Sequence, residues 1–253
     1  MLAERISKLE GNPYEPASRD LGNYLVALVR RAFYKESELL RFWFPTPDKK
    51  MLTLKVHDDK PFIFIDGWSG CGKTHICLSY IEQSLSQGRQ VSYIGLQGEL
   101  DNKSSLLSAK ITALYATYAN QLRLAKSSSI TSLMSSMKFA RDEVVIIDEP
   151  TFACIKGELA ELAALAKVLD LTVILVGQSF HDFAELVNDK VLVGNEIEQL
   201  TVDTELYKFI KSNVSVVMSW GKHSIFNKAI PVGQFAVYQL YSGKLGVIYV
   251  PEL

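Results

Sequence analysis

The apolar residues of this chain fall in short, nearly uninterrupted runs, separated by stretches with helical spacing. FIFID (Phe62–Asp66), VSYIG (Val91–Gly95), VVIID (Val144–Asp148) and TVILV (Thr172–Val176) are each about one strand long. Runs that are apolar throughout predict strands covered on both faces. Between them, HICLSYIEQSL (His75–Leu85) reads as a helix that ends at Gly88. Ser104–Lys126 carries Leu107, Ile111, Leu114, Tyr115 and Tyr118 at helical spacing, and Gly157–Leu169 is an Ala- and Leu-rich helix. Strands that alternate with helices predict a mainly parallel sheet in a three-layer α/β domain.

The two ends differ from this middle. VSVVM (Val214–Met218), QFAVYQL (Gln234–Leu240) and LGVIYV (Leu245–Val250), with Ser242-Gly243 as a turn, predict C-terminal antiparallel strands that extend the sheet. A helical lid does not fit this pattern. At the other end, residues 1–20 are polar and irregular. Leu21–Phe44 then places Leu25, Leu28, Val29, Phe33, Leu39 and Leu40 on roughly one helical side, until Pro45–Lys50 breaks it. The expected organisation is an N-terminal helical appendage, residues 1–50, and an α/β domain, residues 51–253. Arg30, Arg31 and Arg41 sit among aromatics, so the appendage packs as an accessory helix or offers a surface to a protein or nucleic-acid partner. Ser127–Lys138 is serine-rich, which predicts a flexible connection between Lys126 and Lys138 that could face DNA.

Composition narrows the class without choosing a function. The 253 residues are 48% hydrophobic and 22% charged, as expected of a globular domain with a sizeable core. Ala229–Gly243, the longest run without charge, is too short and too polar to span a bilayer, and the N-terminus has no signal-peptide stretch. Cys71, Cys77 and Cys154 form no disulfide framework, so a reduced, cytoplasmic setting is expected. A net charge of −1 excludes polyanion affinity spread over the whole surface, but not a local basic patch.

The chemistry is concentrated after the first apolar run. Gly67-Trp68-Ser69-Gly70-Cys71-Gly72-Lys73-Thr74 fits G-x-x-x-x-G-K-[ST], between a strand and a helix that opens near His75. Glycines let backbone N–H groups curl around phosphate oxygens, and the helix N-terminus adds a favourable dipole. Lys73 can reach the β and γ phosphates, and the Thr74 hydroxyl can ligand Mg2+. VVIIDE then delivers Asp148 to hold Mg2+ and Glu149 to polarise an attacking water. ATP and Mg2+ are the expected ligands. No motif reads the base, so ATP and GTP are not distinguished.

With these residues the chain resembles the P-loop NTPases that carry an extra catalytic glutamate, the RecA-like and FtsK–HerA-like motors, which include viral genome-packaging ATPases. The resemblance covers about Phe62 to Gln178. It implies a RecA-like fold and gives Gln178, just past the fourth apolar run, the role of γ-phosphate sensor. It also makes Glu99 a competitor of Glu149 for the base, with Glu149 favoured because it follows the metal-site aspartate directly. Such motors imply a homo-oligomeric ring acting on DNA, in which a neighbour supplies a positive charge. Arg123, Arg141, Lys156, Lys167 and Lys222 are the candidates for that charge.

Other resemblances are weaker. DEPT (Asp148–Thr151) is similar to ABC ATPases, but no LSGGQ precedes it. The strand-like tail and the lack of arginine after Arg141 argue against AAA+ proteins. Thymidine kinases share a P-loop and a DExxF motif, here Asp148–Phe152, but their zinc cysteines are missing. A nucleoside kinase, and a regulatory ATPase that controls a partner assembly, are the alternative functions.

Overall fold

The structure is a computed structural model, and it describes residues 40–95, 106–126, 130–148, 158–178, 205–220 and 230–250. Most of the expected accessory helix falls outside the described residues. Its last part does not. Arg41–Pro45 is a strand (β1), paired antiparallel with Met51–Lys55 (β2) around a turn at Thr46–Lys50. The helical expectation for Arg41–Phe44 is therefore corrected. Phe42 and Phe44 are buried, while Arg41 and Trp43, which alternate with them, are exposed, and period two is the period of a strand.

Among the described residues, eight further strands form one sheet: Phe62–Asp66 (β3), Val91–Gly95 (β4), Leu122–Lys126 (β5), Val144–Asp148 (β6), Thr172–Gly177 (β7), Val214–Ser219 (β8), Gln234–Gln239 (β9) and Lys244–Tyr249 (β10). Their order across the sheet is β10-β9-β8-β3-β7-β6-β4-β5. All pairs from β8 to β5 are parallel, while β9 and β10 run antiparallel at the edge. The expected antiparallel extension thus begins at β9. β8 itself lies parallel to β3, because Glu205–Asn213 (α5) brings the chain back to the start of that strand.

The helices and the hairpin cover both faces. On one, Lys73–Ser86 (α1), Leu106–Thr117 (α2) and the β1–β2 hairpin pack over Ile63, Ile65, Tyr93, Ile146 and Val176. On the other, Ile130–Ser136 (α3), Glu158–Leu169 (α4) and α5 pack over Phe62, Phe64, Ile147 and Leu175. Tyr80 of α1 ties the hairpin down, with its ring edge-on to Phe42 at 4.4 Å and to Phe44 at 5.1 Å. The Gln83 side chain accepts from the Trp43 N–H and donates to the Trp43 carbonyl, as a neighbouring strand would.

Two expectations in the middle of the chain are corrected. The long helix expected over Ser104–Lys126 stops at Thr117, and its last part is strand β5 at the sheet edge. The serine-rich segment contains α3, which buries Ile130 and Leu133 and is capped by Glu158, whose carboxylate accepts from the Ile130 and Thr131 N–H groups. Lys126 ends β5, whereas the Lys138 carbonyl is bonded to Arg123 near the opposite end of that strand. The two lysines therefore do not share one loop.

Candidate nucleotide-binding site

The parallel strands β8, β3, β7, β6, β4 and β5 all end at one edge of the sheet. Register aligns Ser219 with Asp66, Asp66 with Gly177, and Gly95 with both Asp148 and Lys126. The chain leaves Asp66 directly into Gly67–Gly72 and enters α1 at Lys73. Gly70 and Gly72 both have positive φ, and Gly72 reaches +104°. A side chain at Gly72 would be strained, and its Cβ would come within 2.9 Å of Val250. Among the described residues, no side chain caps the first turn of α1, so its N–H groups point at whatever the loop encloses.

Lys73 is nearly buried, and its ammonium stays within the loop, donating to the Gly67 carbonyl at 2.6 Å and to the Trp68 carbonyl at 3.0 Å. Trp68, Ser69 and Gly70 are exposed at the loop tip. Thr74 and His75 are half-buried in the first turn of α1. Cys71 is buried against Gly67, where an added Cβ would lie 2.6 Å from Sγ. Burial pushes the Cys71 thiol above its ordinary pKa, with Lys73 pulling the other way. A buried, protonated thiol packs the loop and has no need of further chemistry.

Asp148 ends β6 and is nearly buried. β7 runs between β3 and β6, so Asp148 is not on the strand adjacent to the phosphate loop. The end of β7 is interposed, and it carries Gln178. Lys73, Thr74, Gln178 and Asp148 therefore share one edge, with Gln178 between the loop and the aspartate. Glu149, Glu99, Lys156 and Lys222 lie outside the described residues. Sequence reasoning missed Tyr93, whose hydroxyl donates to Asp148 Oδ2 at 2.5 Å. It also missed the Asp66–Ser219 contact, in which the serine hydroxyl donates to Oδ2 at 3.2 Å beneath the loop. Both depend on strand register, for which the sequence carries no direct signal.

Two of the candidate arginines are committed elsewhere. Arg123 forms a two-pronged ion pair with buried Glu143, at 2.5 and 2.6 Å. Arg141 pairs with Asp170 at 3.3 Å. Glu143 and Asp170 precede β6 and β7, so both pairs lie at the edge opposite the phosphate loop. Lys167 donates to the Ser212 carbonyl at 3.4 Å.

The residues present fit a magnesium nucleotide. The uncapped helix start and Lys73 suit phosphate oxygens, while Thr74 and the fixed Asp148 carboxylate are oxygen ligands of the kind Mg2+ takes. Among the described residues, no helix is long and apolar enough to cross a membrane.

The family described as AAA domain matches residues 56–186. This overturns the expectation against AAA proteins, which rests on the strand-like tail and on the lack of arginine after Arg141. No curated protein matches the chain. Among solved structures, ATPases 2 and 3 of Thermomonospora curvata EccC, in complex with a signal sequence peptide, superpose with a TM-score of 0.54 at 12% identity, over 88% of this chain. The chain spans 42% of the length of that EccC chain. The pCW3 conjugation coupling protein TcpA, in its monomer form with ATPγS, gives 0.51 at 13% identity, over 85% of this chain and 67% of its own. The genome packaging NTPase of Sulfolobus turreted icosahedral virus 2 gives 0.49 at 14%, over 78% of this chain and all of its own. The first two likenesses are likenesses of fold.

Proposed function

This chain belongs to the AAA domain family of P-loop ATPases, and from that premise we propose that it is an oligomeric motor that hydrolyses ATP to act on DNA, in translocation or packaging. The observation that carries the proposal is the position of Gln178, at the end of β7 between the phosphate loop and Asp148. A polar side chain there can detect the γ-phosphate and pass its loss to the strands on either side, which a motor needs.

The proposal assigns the following roles. The loop N–H groups and Lys73 bind and orient the phosphates. Thr74 and Asp148 would hold Mg2+, which would supply charge neutralisation at the phosphates. Glu149, the residue after Asp148, polarises the attacking water. The described arginines, Arg41, Arg89, Arg123 and Arg141, all belong to the far edge: the backbone carbonyl of Arg41 accepts from the Gln87 side chain past the end of α1, Arg89 donates to the Asp142 carbonyl, and the other two hold Glu143 and Asp170. A ring in which a neighbouring subunit completes the site suits this distribution. For DNA as the substrate, support comes from the motor resemblance and from TcpA, a conjugation coupling protein. A cytoplasmic setting and a protein partner that docks on the segment before β1 belong to the same proposal.

Steady-state phosphate release, measured with and without duplex DNA and with thymidine as a phosphate acceptor, tests it. The proposal expects DNA to raise the rate and thymidine to remain unphosphorylated. Phosphoryl transfer to thymidine would establish a kinase, and stimulation by a protein partner alone would establish a regulatory ATPase.

A further inference from the structure

The carboxylate of Asp148 does not stand alone at the strand end. β4 lies beside β6 in parallel register, with Gly95 opposite Asp148 and Tyr93 opposite Ile146. Alternation puts Tyr93 and Gly95 on the same face of the sheet, the one covered by α1. Gly95 has no side chain to occupy the place next to Asp148, and the phenol of Tyr93 reaches that place from two residues back. Tyr93 is 1% exposed and Asp148 6% exposed, and 2.5 Å separates the hydroxyl from Oδ2. That is the short separation typical of a hydroxyl donating to a charged oxygen.

We propose that Tyr93 is a positioning residue for the metal: its hydroxyl fixes the rotation of the Asp148 carboxylate, so that Mg2+ meets a preset ligand. The proposal rests on reading Asp148 as the Mg2+ residue. The χ2 torsion of an aspartate is broad, so an unheld carboxylate samples many orientations. One donated bond, from a ring that is itself locked in the core, removes that freedom before the metal arrives. Partners of this kind typically change metal affinity by about 10- to 100-fold when they are removed. Tyr93→Phe keeps the ring and its packing and deletes only the donor.

The test uses the full chain and a metal that can be counted without turnover. Mn2+ binding is titrated by electron paramagnetic resonance in the presence of ATPγS, for the parent, Tyr93→Phe and Asp148→Asn. Binding of ATPγS in the presence of EDTA and thermal unfolding without nucleotide are measured alongside. The proposal expects Tyr93→Phe to weaken Mn2+ binding on the order of 10-fold, with unchanged metal-free binding of ATPγS. If Asp148→Asn weakens Mn2+ binding but Tyr93→Phe does not, Tyr93 is only a core residue and the proposal is overturned. A lower melting temperature in Tyr93→Phe with unchanged Mn2+ affinity overturns it in the same way. If Asp148→Asn leaves Mn2+ affinity unchanged, the reading of Asp148 itself falls, and the role of Tyr93 falls with it.

Discussion

Lys73 donates to two carbonyls of its own loop, Gly67 and Trp68, and thereby keeps an ammonium ready where phosphate would sit. Lys73→Ala removes that charge from a site with no nearby arginine among the described residues. Hydrolysis should fall below detection and nucleotide binding should weaken, measured by phosphate release and equilibrium titration on folded protein. Glu149→Gln should differ in kind. It should still bind ATP–Mg2+ but turn over about 10²-fold or more slowly, the usual range for loss of a general base. If Glu149→Gln keeps a near-normal rate and Glu99→Gln loses it, the base lies after β4 instead. Gly72 is constrained twice, by its φ of +104° and by Val250 at 2.9 Å from an added Cβ. Gly72→Ala should cost about 1–2 kcal/mol from the backbone alone, read by denaturant unfolding. Adding Val250→Ala should recover the part due to contact and leave the backbone part.

At the scale of elements, the ion pairs at the far edge make a pH prediction. Burial raises the Asp170 carboxyl above its ordinary 3.8, and Arg141 offsets this only in part. A carboxyl whose folded pKa is raised favours the fold most when protonated. Its contribution is therefore fully present below the unfolded value and is lost as pH rises through the folded one. Asp170→Asn should match the parent near pH 3 and become the more stable of the two as pH rises toward neutrality, in chemical unfolding across that range. Asn also tolerates the positive φ of 56° at this position.

Which elements could be read from the sequence follows from how each is buried. Phe62–Asp66, Val91–Gly95 and Val144–Asp148 were readable to the residue, because a parallel strand covered on both faces must be apolar throughout. β5 was not. LRLAK is a half-exposed edge strand that directly continues the helical spacing of Leu114 and Tyr118. α3 was hidden by serines, since only Ile130 and Leu133 are fully buried in the core, with Met134 packed partly against it, and its cap, Glu158, comes from a distant segment. The phosphate loop was legible because its chemistry is local. Tyr93 and the interposition of β7 were not, because strand order and register are properties of the assembled sheet.

At the scale of the whole molecule, the C-terminal strands do more than widen the sheet. Trp220 follows β8 and donates its N–H to the Asp66 carbonyl, while its indole donates to Pro231 ahead of β9. Val250 follows β10, bonds back to Gly233 and packs on Gly72. The phosphate loop is thus backed by the tail, in the place where a helical lid was not expected. On the other side of the molecule, the described arginines are held at the edge away from the loop. These two facts together make the proposed trans-acting charge the point on which the motor account turns. The specific rate of ATP hydrolysis as a function of protein concentration, with mass measured on the same samples, tests it most directly. The account predicts a specific rate that rises with concentration and follows the appearance of a ring, most plainly a hexamer. A constant specific rate from a protein that remains a monomer throughout would contradict it.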